Sequence, residues 1–432
     1  MAANDLSGQS ADVVIIGAGL AGLAAARTLV GAGREVLVLE KESSVGGRVR
    51  TDVIDGYRLD HGFQLFNPAY PEGRRVFDYA ALDLHPLTRG VTVAMQTRNW
   101  LLADPRSEPR AAWQALRSPT GSLAAKLRLA RYAVSRARMH SADVIGQNDC
   151  TSLEALREAG IDERLIDSVL RPFLSGVFLD KELTTSRRFM DLVLRSFVRG
   201  TPSLPSSGMG ALPEQLAAGL PAGVVATAVR VNGISGDGPV HIDTDSGEVT
   251  ARAVVVATDP GSVSSLIEGF VAPAMNSVTT WYHRASQSPA ELSSGKSTLL
   301  VDGCSPVDAI GRGPLVNTVV ISGAVPSYAP RNATLVSSSA LGIHDSVESD
   351  AAALHHARLL HRVATDRWEL VGKYVIPQAL PAAPAPMEIR KAVRLGGGRY
   401  IAGDHRDTPS IQGALVSGRR AAEAVLTDLG ER

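Results

Sequence analysis

ADVVIIGAGLAGLAAARTLVGAGREVLVLEKE, residues 11 to 42, reads as strand, glycine turn, helix and second strand. Val13 to Ile16 is a β-branched run that suits a strand buried on both faces. Leu20 to Val30 is rich in Ala and Leu, as a helix requires, and Gly31 and Gly33 stop it. Glu35 to Leu39 forms the second strand, with Glu40 at its end, which completes one βαβ unit. Within it GAGLAG (Gly17 to Gly22) fits G-x-G-x-x-G. Gly17 permits the tight turn, Gly19 lets a pyrophosphate approach the backbone, and Gly22 lets the helix pack on the strand. The helix N-terminus then faces phosphate charge. Glu40 lies 18 residues after Gly22, where a carboxylate holds ribose hydroxyls and repels a 2′-phosphate.

Composition sets the outer bounds. The chain has 432 residues, a length that suggests about three domains or one large composite. It is 44% hydrophobic and 20% charged, which excludes wholesale disorder. Lys+Arg and Asp+Glu are both 44, so a global pull toward nucleic acid is not expected. The longest apolar run, Val13 to Ala26, holds three glycines and is too short to span a bilayer. The start MAANDLSGQSAD has no charged n-region or signal-type apolar segment. Cys150 and Cys304 make no CxxC and no metal spacing. The expectation is a cytoplasmic chain without a metal, with membrane-peripheral placement as the alternative. The zero net charge is uneven: from Arg106 to Arg138 there are eight basic residues and one acid, Glu108.

Further along, Arg98 to Arg199 reads as mainly helical. In Ser122 to His140 the residues Leu123, Leu127, Ala130, Val134 and Ala137 share one face. Thr151 and Ser152 start a helix that Gly160 stops. TPSLPSSGMG (Thr201 to Gly210) is a boundary turn. Strands come next in VVATAVRVNGISG, PVHIDTD and ARAVVVATDP. Ser346 to Leu370 reads as helical and Leu380 to Met387 as a proline-rich turn. A last strand, RYIAGD, leads into a helix from Ile411 to Leu426. No Walker loop, G-x-S-x-G or H-E-x-x-H appears.

The cofactor choice turns on the residues just beyond Glu40. Gly46, Gly47 and Arg48, then Arg50, add room and charge near a pyrophosphate, and no second G-x-G-x-x-G stands after another strand. GAGLAGLAAARTLVGAGREVLVLEKESSVGGRVRT resembles the FAD-binding start of the flavin-dependent amine oxidase and phytoene desaturase superfamily. RYIAGDHRDTPSIQGALVSGRRAAEAVL (Arg399 to Leu426) resembles its second flavin motif. SSGMGALPEQLA, TAVRVNGI and ARAVVVATDP resemble its middle segments. The resemblance implies an α/β fold: a Rossmann-like FAD-binding domain (1–85, 206–265, 386–432) with a discontinuous α+β substrate domain (86–205, 266–385). It implies that Gly17, Gly19 and Gly22 cradle the pyrophosphate and that Glu40 binds the adenosine ribose. Gly47 and Arg48 would lie by the phosphates and ribityl chain. Val229 would meet the adenine edge through its backbone. Gly403 and Asp404 would bind the ribityl or pyrophosphate end, and Ile411, Gln412 and Gly413 would cover the flavin pyrimidine. DHGFQ (Asp60 to Gln64) would bring Gly62 and Phe63 up to the isoalloxazine ring. Some members tether flavin through a tail cysteine; this tail has none, which implies non-covalent FAD, with His61 and His405 as the remaining tether candidates.

Two reaction classes compete. Pocket aromatics and a lysine near flavin N5 mark the amine oxidases, whereas desaturase-like members take apolar isoprenoids. Aromatics are 5% of the chain. Lys296 sits in a polar turn, and YVIPQALPAAPAP (Tyr374 to Pro386) lacks paired aromatics, although Tyr374, Tyr400, Trp281 and Tyr282 are pocket candidates. Asp404 stands where many amine oxidases carry Glu. The favoured expectation is hydride removal from a small apolar, isoprenoid-like substrate, with oxygen or a quinone as electron acceptor. An amine oxidase and a flavin-binding protein without turnover are the alternatives. His61, Gln64 and Tyr374 are the candidate catalytic side chains. His355, His356 and His361 share a helix without ligand spacing to a carboxylate. For the basic stretch 106–138 two readings stand: a solvated helix face, or a basic amphipathic surface that meets anionic lipid.

Overall fold

The computed structural model describes residues 5–104, 106, 108–293, 297–304 and 312–430; Lys296 lies outside them. The opening unit folds as read: β1 (Gln9–Ile16), α1 (Leu20–Gly31) and β2 (Val36–Glu40). β1 pairs in parallel with β2 on one side and with Gly247–Val256 on the other. The second half of Gly247–Val256 pairs in parallel with Arg399–Ile401. Its first half pairs antiparallel with Val240–Thr244. Val225–Thr227 closes the far edge on β2. Both faces of this sheet are covered, which explains the unbroken apolar run. Val13 and Ile15 pack with α1 and the last helix, Ile411–Gly430, while Val14 and Ile16 pack with Ile242 and Val263 on the other face. The last helix reaches α1 closely at Gly418, where a Cβ would stand 2.1 Å from the Ala21 carbonyl oxygen.

A second sheet runs in the order Glu369–Pro381, Met275–Ala285, Thr334–Leu341, Leu315–Val320, Leu299–Asp302, Gly90–Ala94 and Asn99–Ala103. The helices between residues 109 and 199 cover one face, with Leu156, Leu165, Phe178 and Phe189 against Val91, Val93 and Val301. Val347–His361 covers the other, packing Ala353, Ala357 and Leu360 against Trp281 and Val336.

Three readings change. The segment from residue 98 opens on the strand Asn99–Ala103 before the helices begin. The helix expected over 346–370 ends at His361, and Leu370 lies in the long strand Glu369–Pro381, which also takes up the start of the expected proline-rich turn. In the Leu123–Arg138 helix most of the apolar stripe faces outward: Leu123, Leu127, Ala130 and Val134 are exposed, and of the stripe only Ala137 is buried, with Ala125 and Tyr132 off the stripe. Tyr132 sets that orientation, because its hydroxyl donates to the buried Asp191 carboxylate at 2.6 Å, which also accepts from Gln147.

Asp60, at the end of the hairpin Thr51–Asp60, ties that hairpin to the second sheet and to the segment at Met209. Its carboxylate accepts from Thr51 Oγ1 (2.6 Å), the Met209 amide (2.9 Å) and the Tyr328 hydroxyl (2.8 Å), and its carbonyl accepts from the Tyr282 hydroxyl. Burial outweighs these bonds and pushes its carboxyl up to about 6. Burial pushes His283, His361 and His405 down to about 4. Between those values and the ordinary 6.5 the unfolded chain binds protons that the folded protein refuses. Stability from the histidines is therefore complete above pH 6.5 and lost as pH falls toward 4. Asp60 acts with the opposite sign, since its stabilisation is complete below 3.8 and lost as pH rises through 6. Asp191 and Asp407 are also raised by burial and act in Asp60's direction, so the net loss on acidification stays below the three-histidine limit of about 4 kcal/mol per pH unit. Urea midpoints measured from neutral pH to about pH 5 should fall accordingly; a rising midpoint contradicts the assignment.

Candidate functional site

A cavity of about 1440 Å³ runs from the glycine loop of the first sheet to the helices over the second. That exceeds the usual 300–1,000 Å³, roughly, of a single ligand pocket and leaves room for a cofactor with a substrate.

The cofactor end has a floor without side chains. Gly17 holds φ +102°, and a Cβ there would meet the Ala257 carbonyl oxygen at 2.9 Å. Gly46 bridges directly to Gly19, with the Gly46 amide donating to the Ala18 carbonyl at 2.9 Å. Gly46 (φ +124°) would clash with the Val49 carbonyl oxygen if it carried a Cβ. Gly47 (φ +60°) lies over Gly19, whose Cα stands 3.5 Å from a Cβ built on Gly47. Backbone amides and the start of α1 thus meet an open surface, the form a pyrophosphate requires. Gly22 is not part of the wall. A Cβ there would stand 2.0 Å from the Gly17 carbonyl oxygen, so its role is to let α1 seat on the loop.

Glu40 lines the cavity with both carboxylate oxygens partly engaged: one accepts from the Ala18 amide (2.8 Å), the other from the Glu42 amide (3.0 Å). Each oxygen keeps a further lone pair for a ribose hydroxyl. Val229 also lines the cavity, but its amide donates to the Glu40 carbonyl at 2.9 Å, which leaves only its carbonyl to an adenine edge.

Arg48 ties together segments that lie far apart in sequence. Its guanidinium donates to Asp404 Oδ1 at 2.5 Å and to the Ala379 carbonyl at 3.0 Å. Burial opposes the charge, but the Asp404 carboxylate outweighs it and raises the Arg48 pKa above its ordinary value. The side chain keeps 31% of its surface, and both residues line the cavity. Gly403 (φ +150°) lines it as well. His405 does not: its ring packs against Gly403 and edge-on to Phe270, with neither ring nitrogen bonded. The tether role considered for it finds no support in that placement.

Pro409, Ser410 and Ile411 bring the start of the last helix to the wall. Ser410 Oγ accepts from the Gly413 amide at 3.0 Å, while the earliest amides of a helix have no acceptor within it. Gln412 and Gly413 are not in the wall. Gln412 Oε1 accepts from the Glu72 amide, and Gly413 abuts Thr408, where a Cβ would be 1.9 Å from its carbonyl oxygen.

The DHGFQ turn reaches the cavity with His61, Gly62, Phe63 and Gln64. Gly62 requires its positive φ of +86° and faces Ile376. Gln64 Nε2 donates to the Arg48 carbonyl at 2.9 Å, which leaves its buried Oε1 without a partner. Arg50 Nε and Asn317 Oδ1 are further buried, unpartnered atoms on cavity-lining residues. His61 Nε2 and the Tyr374 hydroxyl both donate to Asp52 Oδ2, at 2.9 and 2.7 Å, with the two rings 4.6 Å apart. Burial pushes the Asp52 carboxyl up, but the bonds from Tyr374 and His61 outweigh it and hold it below its usual range. Tyr374 itself stands behind His61, outside the wall. The other pocket aromatics are committed elsewhere: Trp281 Nε1 to Asp350, the Tyr282 hydroxyl to Asp60 and the Tyr400 hydroxyl to Asp428.

Asp259 was missed by sequence reasoning. It caps the helix Pro260–Leu266 through the Ser262 amide at 2.9 Å and lines the cavity beside Gly17. The Asp-Pro step after ARAVVVAT was the available signal. Asn317 carried none, because a strand asparagine is recognised only once the opposite wall is known.

These residues fit FAD: an open glycine floor, an acid at the end of the second strand, and a helix start at the far wall. The flavin containing amine oxidoreductase family matches residues 20–426. Putrescine oxidase of Kocuria rosea is 47% identical over 74 residues, which are 17% of this chain and 16% of that protein. Phytoene dehydrogenase of Streptomyces griseus is 56% identical over 50 residues, 12% of this chain and 10% of that one. The matched stretches therefore span a small part of either relative. The solved structure of an oxidoreductase from Methanosarcina mazei superposes with a TM-score of 0.74 at 15% identity, covering 95% of this chain and 99% of that one, a likeness of fold. With the family matched over nearly the whole chain and its cofactor cradle in place, this protein belongs to the flavin containing amine oxidoreductases, a family of FAD-dependent oxidoreductases.

Proposed function

We propose that the protein removes a hydride equivalent from an apolar, isoprenoid-like substrate, with oxygen or a quinone as the final electron acceptor. The observation that carries this reading is the far end of the cavity, lined by Leu129, Leu165, Val169, Phe173, Phe189 and Phe197. An alkyl chain is held there by burial alone, at about 25 cal/mol per Å². A cationic amine would need a carboxylate free to pair with it; Asp104 in this wall is already paired with Arg89 and Arg106, and Trp281, Tyr282 and Tyr400 are turned to other partners.

FAD, when bound, supplies a hydride acceptor at N5. The chain supplies position and potential. The glycine floor takes the pyrophosphate, and Glu40 takes the ribose. Arg48 and Asp404 fix the wall between them. The amides that open the helix Ile411–Gly430 put positive potential on the cavity wall, where it would favour negative charge on a bound flavin. His61 holds a proton at Nε2 against Asp52, whose side chain is 48% exposed, so the pair connects the wall to solvent.

The two-domain division, 1–85, 206–265 and 386–432 against 86–205 and 266–385, belongs to this reading. It is supported by the sheets: the strands of the first fall within the former ranges and those of the second within the latter. Non-covalent attachment is supported by Cys150 and Cys304 lying outside the cavity wall.

Anaerobic mixing of the yellow protein with isoprenoid and amine panels tests the reaction. Isoprenoids should bleach the flavin band near roughly 450 nm. Bleaching by amines alone would replace the proposal with an amine oxidase. No bleaching by either would leave a flavin-binding protein without turnover.

A further inference from the structure

We propose that the paired helices Pro109–Arg117 and Leu123–Arg138 dock this protein on an anionic phospholipid surface and open its cavity toward the lipid. Trp113 is 66% exposed and Leu127 60% exposed, and Leu116, Leu123 and Val134 are exposed with them. Exposed apolar side chains are ordinary when scattered, but here they gather on one helix pair. Their setting is basic. Arg110, Arg117, Arg128, Arg131 and Arg138 are all exposed on the same two helices. Arg110, Arg117, Arg131 and Arg138 make no ion pair among the described residues. The Arg117 guanidinium carbon lies 5.4 Å from the Trp113 ring centre.

The two helices act as one unit. Lys126 Nζ donates to the Ala115 and Ser118 carbonyls at 2.8 and 2.7 Å, so the end of the first helix is fastened to the side of the second. Leu116, Leu127 and Ala130 are exposed and also line the cavity. The cavity therefore reaches the outside through the apolar part of this surface.

Charge selects the occupant. A surface of arginines that make no ion pair among the described residues, set around Trp and Leu, is the composition that sits at an anionic lipid interface. A second copy of the chain would set arginine against arginine, since a two-fold contact pairs each patch with itself. The docking stands on this surface alone. Delivery of substrate by this route rests on the apolar-substrate reading above.

Sedimentation of the holoprotein with vesicles of phosphatidylcholine, with and without phosphatidylglycerol, tests the docking. The protein should pellet with the phosphatidylglycerol vesicles at low salt and be released at high salt. Arg117→Glu with Arg131→Glu should weaken partitioning by about 25-fold or more, at roughly fivefold for each charge. Trp113→Asp with Leu123→Asp should abolish pelleting while the flavin absorbance is kept, which shows that the fold survives. Absent pelleting, or equal pelleting of parent and variants, overturns the proposal. So does a dimer that Leu123→Asp splits in the absence of vesicle binding. Isoprenoid bleaching without pelleting would sink the docking and spare the substrate reading; pelleting without bleaching would do the reverse.

Discussion

Gly19→Val should give a folded protein that binds FAD far more weakly. A Cβ at Gly19 has nothing nearer than the Gly46 carbonyl oxygen at 3.9 Å, and its φ of −75° is one that valine accepts. The chain itself therefore admits the side chain. The isopropyl group stands instead in the space where a pyrophosphate must touch backbone. Overpacking of that kind costs about 3 kcal/mol, which is about two orders of magnitude in FAD Kd. Titration with FAD and a thermal melt, read side by side, check it: the FAD Kd should rise about a hundredfold while the melt holds. Undiminished flavin absorbance would overturn the placement of the pyrophosphate. Gly22→Ala behaves in the opposite way. Its Cβ would lie 2.0 Å from the Gly17 carbonyl oxygen, so α1 must lift off the loop. That variant loses the fold first and the cofactor with it.

Arg48→Met strands a carboxylate. Asp404 has a side chain only 6% exposed, with Arg48 its ion-pair partner at 2.5 Å. Removing one member of such a pair costs about 3–5 kcal/mol when the charge left behind has no partner and little water. The open third of the Arg48 side chain admits some solvent, which places the expected loss toward about 3 kcal/mol. Denaturant melts measure it. Arg48→Met with Asp404→Leu should recover most of the stability, since the double change leaves no charge stranded. Should the double variant be as unstable as the single one, the pair does not set the local energetics. The Ala379 carbonyl contact of Arg48 would then be the stronger candidate.

The βαβ unit was legible because its signal is local. A β-branched run, three spaced glycines and a terminal acid each act within one strand or turn, and neighbours in sequence decide them. The two glycine-rich segments were read separately as phosphate-facing. Their direct contact, Gly46 on Gly19, required the folded loop. The outward turn of Leu123 and Leu127 was not legible. Periodicity assigns residues to a common face but not the direction of that face. Direction came from Tyr132 bonding a carboxylate at Asp191, 59 residues away. The helix expected to run on to Leu370 failed for a related reason: the edge position beside Met275–Ala285 draws Glu369–Pro381 into a strand, a tertiary override of local pattern. Tyr374 looked like a pocket residue and proved to be the support behind His61, because Asp52, in a different strand, accepts from both.

By itself, then, the sequence determined the dinucleotide-type cradle, the return of the chain's last motif to that cradle, and FAD as the group the cradle is shaped to hold. The cradle rests on glycine positions and short-range periodicity, which act through the backbone; the return of the last motif and the choice of FAD rest on the resemblance of both end segments to the flavin family. Only the tertiary structure decided which predicted residues form the wall, and that Arg48 spends its charge on Asp404. It also decided that most of the apolar stripe of the basic helix points outward. Those outcomes depend on which side chains meet across hundreds of residues, and burial and pairing there are properties of the packed molecule.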